Sequence, residues 1–130
     1  MSKARPLCWI LDDDDFLAEE LPGRVPGVKF RSVGSLLDLT MVGGSPAVII
    51  IDLSAVGPLI GGREQFYAPI ATVCDRFPGA EIVIASGVPV NFAAEVVERV
   101  REYAPDSVIH IHQRGRHLLS KLVPILEAHS

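Results

Sequence analysis

Leu7-Cys8-Trp9-Ile10-Leu11 runs directly into Asp12-Asp13-Asp14-Asp15. An unbroken apolar run of this length suits a strand buried on both faces, as in a parallel sheet. Three further runs have the same character. Residues 47–51 (Ala-Val-Ile-Ile-Ile) end at Asp52, residues 82–85 end at Ser86-Gly87, and residues 107–111 end in a histidine-containing segment. A weaker run, 28–33, mixes Val28, Phe30 and Val33 with Lys29 and Arg31. It reads as an edge strand, wet on one side.

Helical patterns lie between these runs. Phe92, Val96, Val100 and Tyr103 recur at helical spacing, with Pro89 before them and Asn91 as the expected N-cap. Phe66, Ile70, Val73 and Phe77 form a second stripe, closed by Pro78-Gly79. Leu36, Leu37, Leu39 and Thr40 predict a short helix ending at Gly43-Gly44. Residues 14–21 predict a first helix cut short by Pro22-Gly23, and Pro26-Gly27 turns the chain into the edge strand. Leu118, Leu122, Ile125 and Leu126 mark a last helix that Pro124 should kink or restart. Strand and helix therefore alternate five times. That order predicts an α/β fold, a doubly wound (βα)5 sandwich on a five-stranded parallel sheet. The strand order expected is the flavodoxin-like 2-1-3-4-5, and the 130 residues read as one domain, 1–130.

The charge is local. The chain has 16 acids and 12 bases, a net −4, yet six of the acids lie within residues 12–20. The net −4 argues against a basic surface for nucleic acid, and outside that stretch 10 acids face 12 bases. Hydrophobic residues make up 48% of the chain, which suits a buried core. Cys8 and Cys74 sit in apolar stretches far apart, as reduced thiols of a cytoplasmic protein would. The N-terminus does not read as a signal peptide, and no apolar run is long enough to span a bilayer.

In an open parallel sheet, ligands bind beyond the carboxyl ends of the strands. The strand ends deliver Asp12 and Asp13, then Asp52, then Ser86, then His110 and His112. Two carboxylates about 4 Å apart repel by roughly 4 kcal/mol at an effective dielectric near 20. A small hard divalent cation, Mg²⁺, is the natural counter-charge for such a cluster. Asp14, Asp15, Glu19 and Glu20 suit a helix start and its solvated face.

Three elements in order, Cys8-Trp9-Ile10-Leu11-Asp12-Asp13-Asp14, residues 46–53 (Pro-Ala-Val-Ile-Ile-Ile-Asp-Leu) and residues 82–87 (Ile-Val-Ile-Ala-Ser-Gly), resemble the receiver domain of bacterial response regulators. The resemblance implies a Mg²⁺-dependent aspartyl-phosphate switch. Asp52 would accept a phosphoryl group from a histidine kinase or a small phosphodonor. Asp12, Asp13, Asp52 and the backbone carbonyl of Ser54 would hold the metal, and Ser86 would bond a phosphoryl oxygen. It also implies a downstream protein partner and a candidate homodimer surface on the last strand and helix.

The chain departs from that pattern at several points. Counting back from its end puts His110 where the family has lysine. Ser107 replaces the switch aromatic, and Val56 replaces a proline. The alternative expectation is therefore a pseudo-receiver, a protein-interaction or dimerisation module that works without phosphate. Asp12-x-Asp14 also approaches the two-carboxylate motif of haloacid-dehalogenase-type phosphatases, but Phe16 stands where that motif needs threonine. The glycines of residues 57–64 approach a phosphate loop, but Arg63 and Glu64 replace its Lys and Ser/Thr. A mobile loop is the expectation there. An enzyme is not expected.

Overall fold

The computed structural model describes residues 5–12, 15–41, 43–52, 64–86, 90–113, 115 and 117–130. The predicted loop at 57–63, with Val56, and Pro89 lie outside them. Five strands, β1 (Leu7–Leu11), β2 (Lys29–Val33), β3 (Val48–Asp52), β4 (Glu81–Ser86) and β5 (Ile109–Gln113), form one sheet. Its order is β2-β1-β3-β4-β5 and every pair is parallel. The helices are α1 (Phe16–Arg24), α2 (Leu36–Met41), α3 (Glu64–Arg76), α4 (Val90–Tyr103) and α5 (Leu118–Glu127). The expected α/β architecture and strand order are those observed.

Alternation along each strand divides the core into two layers. Trp9, Leu11, Ile49, Ile51, Ile82, Ile84 and Ile109 face Leu39, Ile70, Val73, Val97 and Val100 of α2, α3 and α4. Cys8, Ile10, Val48, Ile50, Val83 and Ala85 face Leu17 and Leu21 of α1 and Leu118, Leu122 and Leu126 of α5. Each of the larger buried side chains stabilises the fold by about 1.5–3 kcal/mol. β3, at the centre, is buried along its whole length. That is why its sequence carries no polar residue before Asp52.

Three local expectations change. α1 runs through Pro22 to Arg24. α5, from Leu118 to Glu127, holds Pro124 inside it, as its stripe of leucines predicted. Both prolines are exposed, so the carbonyl each leaves without its usual N–H partner, that of Ala18 or Ser120, can be met by water. Buried Leu17, Leu21 and Val25 hold α1 on its other side, and Leu118, Leu122 and Leu126 hold α5. α4 begins at Val90, which places Asn91 inside its first turn rather than at its cap. Strand β5 lies two residues later than the apolar run suggested. Its alternating Ile109-His110-Ile111-His112 buries only one side in the sheet's core, so its polar half resembles a loop in sequence.

Ser35 caps α2, its Oγ accepting the Asp38 N–H at 3.0 Å. Glu19 and Glu20 lie on the solvated face of α1, where Glu20 meets Arg24 at 3.8 Å. Trp9 is core, edge-on to Phe77 at 5.1 Å between ring centroids. Gly44, at φ +132°, lies over the indole, and a Cβ there would stand 3.2 Å from Trp9 Cζ2.

Candidate functional site

Parallel register sets the site. Leu11 pairs with Ile51, so Asp12 and Asp52 leave adjacent strands at the same level. Neighbouring strands lie about 4.8 Å apart. Asp52 also pairs with Ala85, and Ser86, the last residue of β4, stands one step beyond. By alternation Asp52 shares the sheet face of Val48 and Ile50. It is 1% exposed and is the one charged residue in the buried core of the described chain. Asp12 is half-buried. Asp13 and Ser54 lie outside the described residues. Among those described, no three carboxylate, imidazole or thiol groups are grouped as a metal site.

His110 is placed elsewhere. It pairs with Val83, two residues short of the level of Asp52, and the residue opposite Ser86 is Gln113. The His110 ring is held by Glu81 at the opposite end of β4, Nε2 to Oε2 at 2.8 Å. The carboxyl edge therefore receives Asp12, Asp52 and Ser86 but not His110. The count from the chain end failed because β5 starts later than its apolar residues alone suggest.

His112 is level with Ala85, and so with Asp52 across the sheet. Burial, followed by the positive fields of His110 and Lys121, pushes its imidazole below the ordinary value. His117 is the exposed N-cap residue of α5, with no side-chain capping bond. Burial pushes the Cys8 thiol far up, and it pushes Cys74 up against a weaker opposing bond from Ser107. Both thiols stay protonated and unreactive. Glu81 and His129 form a polar cluster that no motif announced. His129 Nε2 meets Glu81 Oε1 at 2.9 Å across 48 residues of sequence. Only the register of β4 against β5 and the end of α5 could have revealed it.

Five parallel strands in the order 2-1-3-4-5, with interleaved helices, match solved structures. This chain has the fold of a response-regulator receiver domain. One structure with the receiver fold is a response regulator from Burkholderia pseudomallei with a phosphorylated aspartic acid, a calcium ion and citrate. It is 18% identical, with a TM-score of 0.63 over 95% of this chain and 71% of that one. An orphan response regulator of H. pylori matches with a TM-score of 0.66 at 13% identity, over 95% of each chain. An adenylate cyclase structure from Rhodopirellula baltica matches at 0.66 and 14% identity, over 96% of this chain and 87% of that one. At these identities the likeness is one of fold. No protein-family model matches the sequence, and no curated protein matches it. Among the described residues no helix is long and apolar enough to cross a membrane.

Proposed function

We propose that this chain is a receiver-type signalling domain in which Asp52 takes a phosphoryl group from a histidine kinase or a small acyl phosphate. The observation that carries this reading is Asp52 itself. It is a buried carboxylate at the carboxyl end of the central strand, level with Asp12 on the next strand. In the transfer, an Asp52 oxygen forms a bond to phosphorus. The bond from phosphorus to the donor's nitrogen or oxygen breaks, and the leaving group keeps its electron pair.

The donors at this edge are carboxylates, which suit a hard divalent cation. Asp12, Asp13, Asp52 and the Ser54 carbonyl would hold Mg²⁺. When bound, the ion supplies charge neutralisation for the transferred group. Ser86 would offer a hydroxyl to a phosphoryl oxygen. The chain would act in the cytoplasm through a downstream protein partner, or through a second copy docked by β5 and α5, without nucleic acid and without turnover of its own.

A second reading has its own support. The β5 residue opposite Ser86 is Gln113, and His110 is engaged with Glu81, so no lysine stands at the end of this strand. That favours a pseudo-receiver, which binds its partner without phosphate. Incubation with Mg²⁺ and acetyl phosphate, followed by intact mass, separates the two. The first reading expects a mass gain of one phosphoryl group, lost in Asp52→Asn. No gain under conditions that label an ordinary receiver removes it. Partner binding unchanged in Asp52→Asn then supports the second.

A further inference from the structure

The other end of the sheet carries a cluster that the phosphoryl chemistry does not use. Glu81 heads β4, and its two carboxylate oxygens are divided between two imidazoles. His110 Nε2 of β5 stands 2.8 Å from Oε2, and His129 Nε2, just past α5, stands 2.9 Å from Oε1. All three side chains are about a third exposed or less. Each imidazole therefore donates Nε2–H to its own oxygen, and each keeps Nδ1 to accept a further proton. The three groups form a hydrogen-bonded bridge rather than a ligand sphere, with no metal grouping among them.

Local hydrogen bonds and one packing contact order the same segment. The N–H groups of Ala128, His129 and Ser130 bond the carbonyls of Pro124, Leu126 and Glu127. Ser130 packs on the turn before β2, where a Cβ on Gly27 would come within 2.9 Å of Ser130 Cβ. The end of α5 is thus seated between that turn and the head of β4. We propose that Glu81, His110 and His129 form a clasp, tightened by protons, that locks the C-terminal end of α5 onto the amino edge of the sheet.

The charges around the clasp give it a direction. From β4 there is Glu81. From β5 there are His110 and, stacked on it at 6.3 Å between centroids, His112. From just past α5 there is His129, and from α5 itself Lys121, whose charge reaches His112. Burial raises the Glu81 carboxyl, but the hydrogen bonds and charges of His110 and His129 outweigh it and leave the group below its ordinary value of 4.5. The carboxylate thus stays ionised throughout the range in which imidazoles take up protons. Burial, then the charges of His110 and Lys121, push the His112 imidazole below its ordinary value, whereas the imidazoles on Glu81 face an anionic acceptor. A proton on either imidazole adds a charge–charge attraction to a hydrogen bond whose acceptor is already an anion.

Hydrogen–deuterium exchange of the full chain tests this, read on peptides covering 120–130 and corrected for intrinsic rates. Between about pH 8 and about pH 6, across the imidazole range, the native chain should gain about fivefold protection there. Glu81→Gln and His129→Gln should each abolish the gain. His117→Gln, whose imidazole lies outside the clasp, should keep it. No gain in the native chain, or a gain that persists in Glu81→Gln and His129→Gln, overturns the clasp.

Discussion

The sheet sets a carboxylate at each of its two edges and treats them in opposite ways. At the carboxyl edge, Asp52 is buried and stands level with Asp12, a second acid. At the amino edge, Glu81 is partly open to solvent and lies between two imidazoles. The second carboxylate is given donors by the chain's own fold, which makes it a structural fastener. The first is set beside a like charge at a strand end, an arrangement that suits a cation arriving from outside. A parallel sheet makes this contrast natural. Its strands all point one way, so loops that carry chemistry collect at one edge while the other is left for stability.

At the carboxyl edge the comparison breaks at Asp12. Replacing it with Asn should weaken Mg²⁺ binding at least about tenfold, or about 1.4 kcal/mol, by removing one of the opposing charges. Isothermal titration with Mg²⁺ checks this, and equal affinity in the variant would mean the two acids do not act together. Leu122→Ala attacks the layer under the amino-edge clasp and should cost about 2–5 kcal/mol, read from denaturant midpoints. Mg²⁺ at ten times its Kd should add about 1.4 kcal/mol to the native chain and nothing to Asp52→Asn. A gain retained in Asp52→Asn would move the metal away from this edge.

The amino edge is sharpened by acid. The Glu81 carboxyl is lower in the folded chain than its ordinary 4.5, so the part of its contribution that comes from its own ionisation is fully present above that value. It is lost as pH falls through the folded value. Glu81→Gln should cost about 1 kcal/mol near neutral pH, and the difference from the native chain should shrink to nothing in strong acid. Thermal unfolding across an acid series reads both. The smallest effect expected is the cross-effect. Glu81→Gln should label with acetyl phosphate at the native rate, and a large fall would show that the two edges are coupled.

What the sequence disclosed follows from where each residue is buried. β1 and β3 are covered on both faces, so Cys8–Leu11 and Val48–Ile51 appear as unbroken apolar runs and their terminal acids stand out. β5 lies at the edge of the sheet, so only Ile109 and Ile111 join the core, and the strand reads two residues early. That shift is what sent His110 to the wrong end. The end of α1 misled because Pro22 reads as a helix stop, yet it is exposed and the carbonyl it leaves unpaired can be met by water. The Glu81–His129 bond joins residues 48 apart and has no local pattern at all. It follows from the register of β4 and the length of α5, and both must be seen to be known.

The packing of Trp9 gives the chain a built-in reporter. It is the sequence's one tryptophan, it is 1% exposed, and it meets Phe77 edge-on in the layer under α2, α3 and α4. Its emission will therefore record the solvent entry of that layer alone and will be blind to the layer under α1 and α5. Circular dichroism at short wavelength sums all the helices. If the two optical signals part company during unfolding, the chain comes apart one face at a time, with the sheet as the seam.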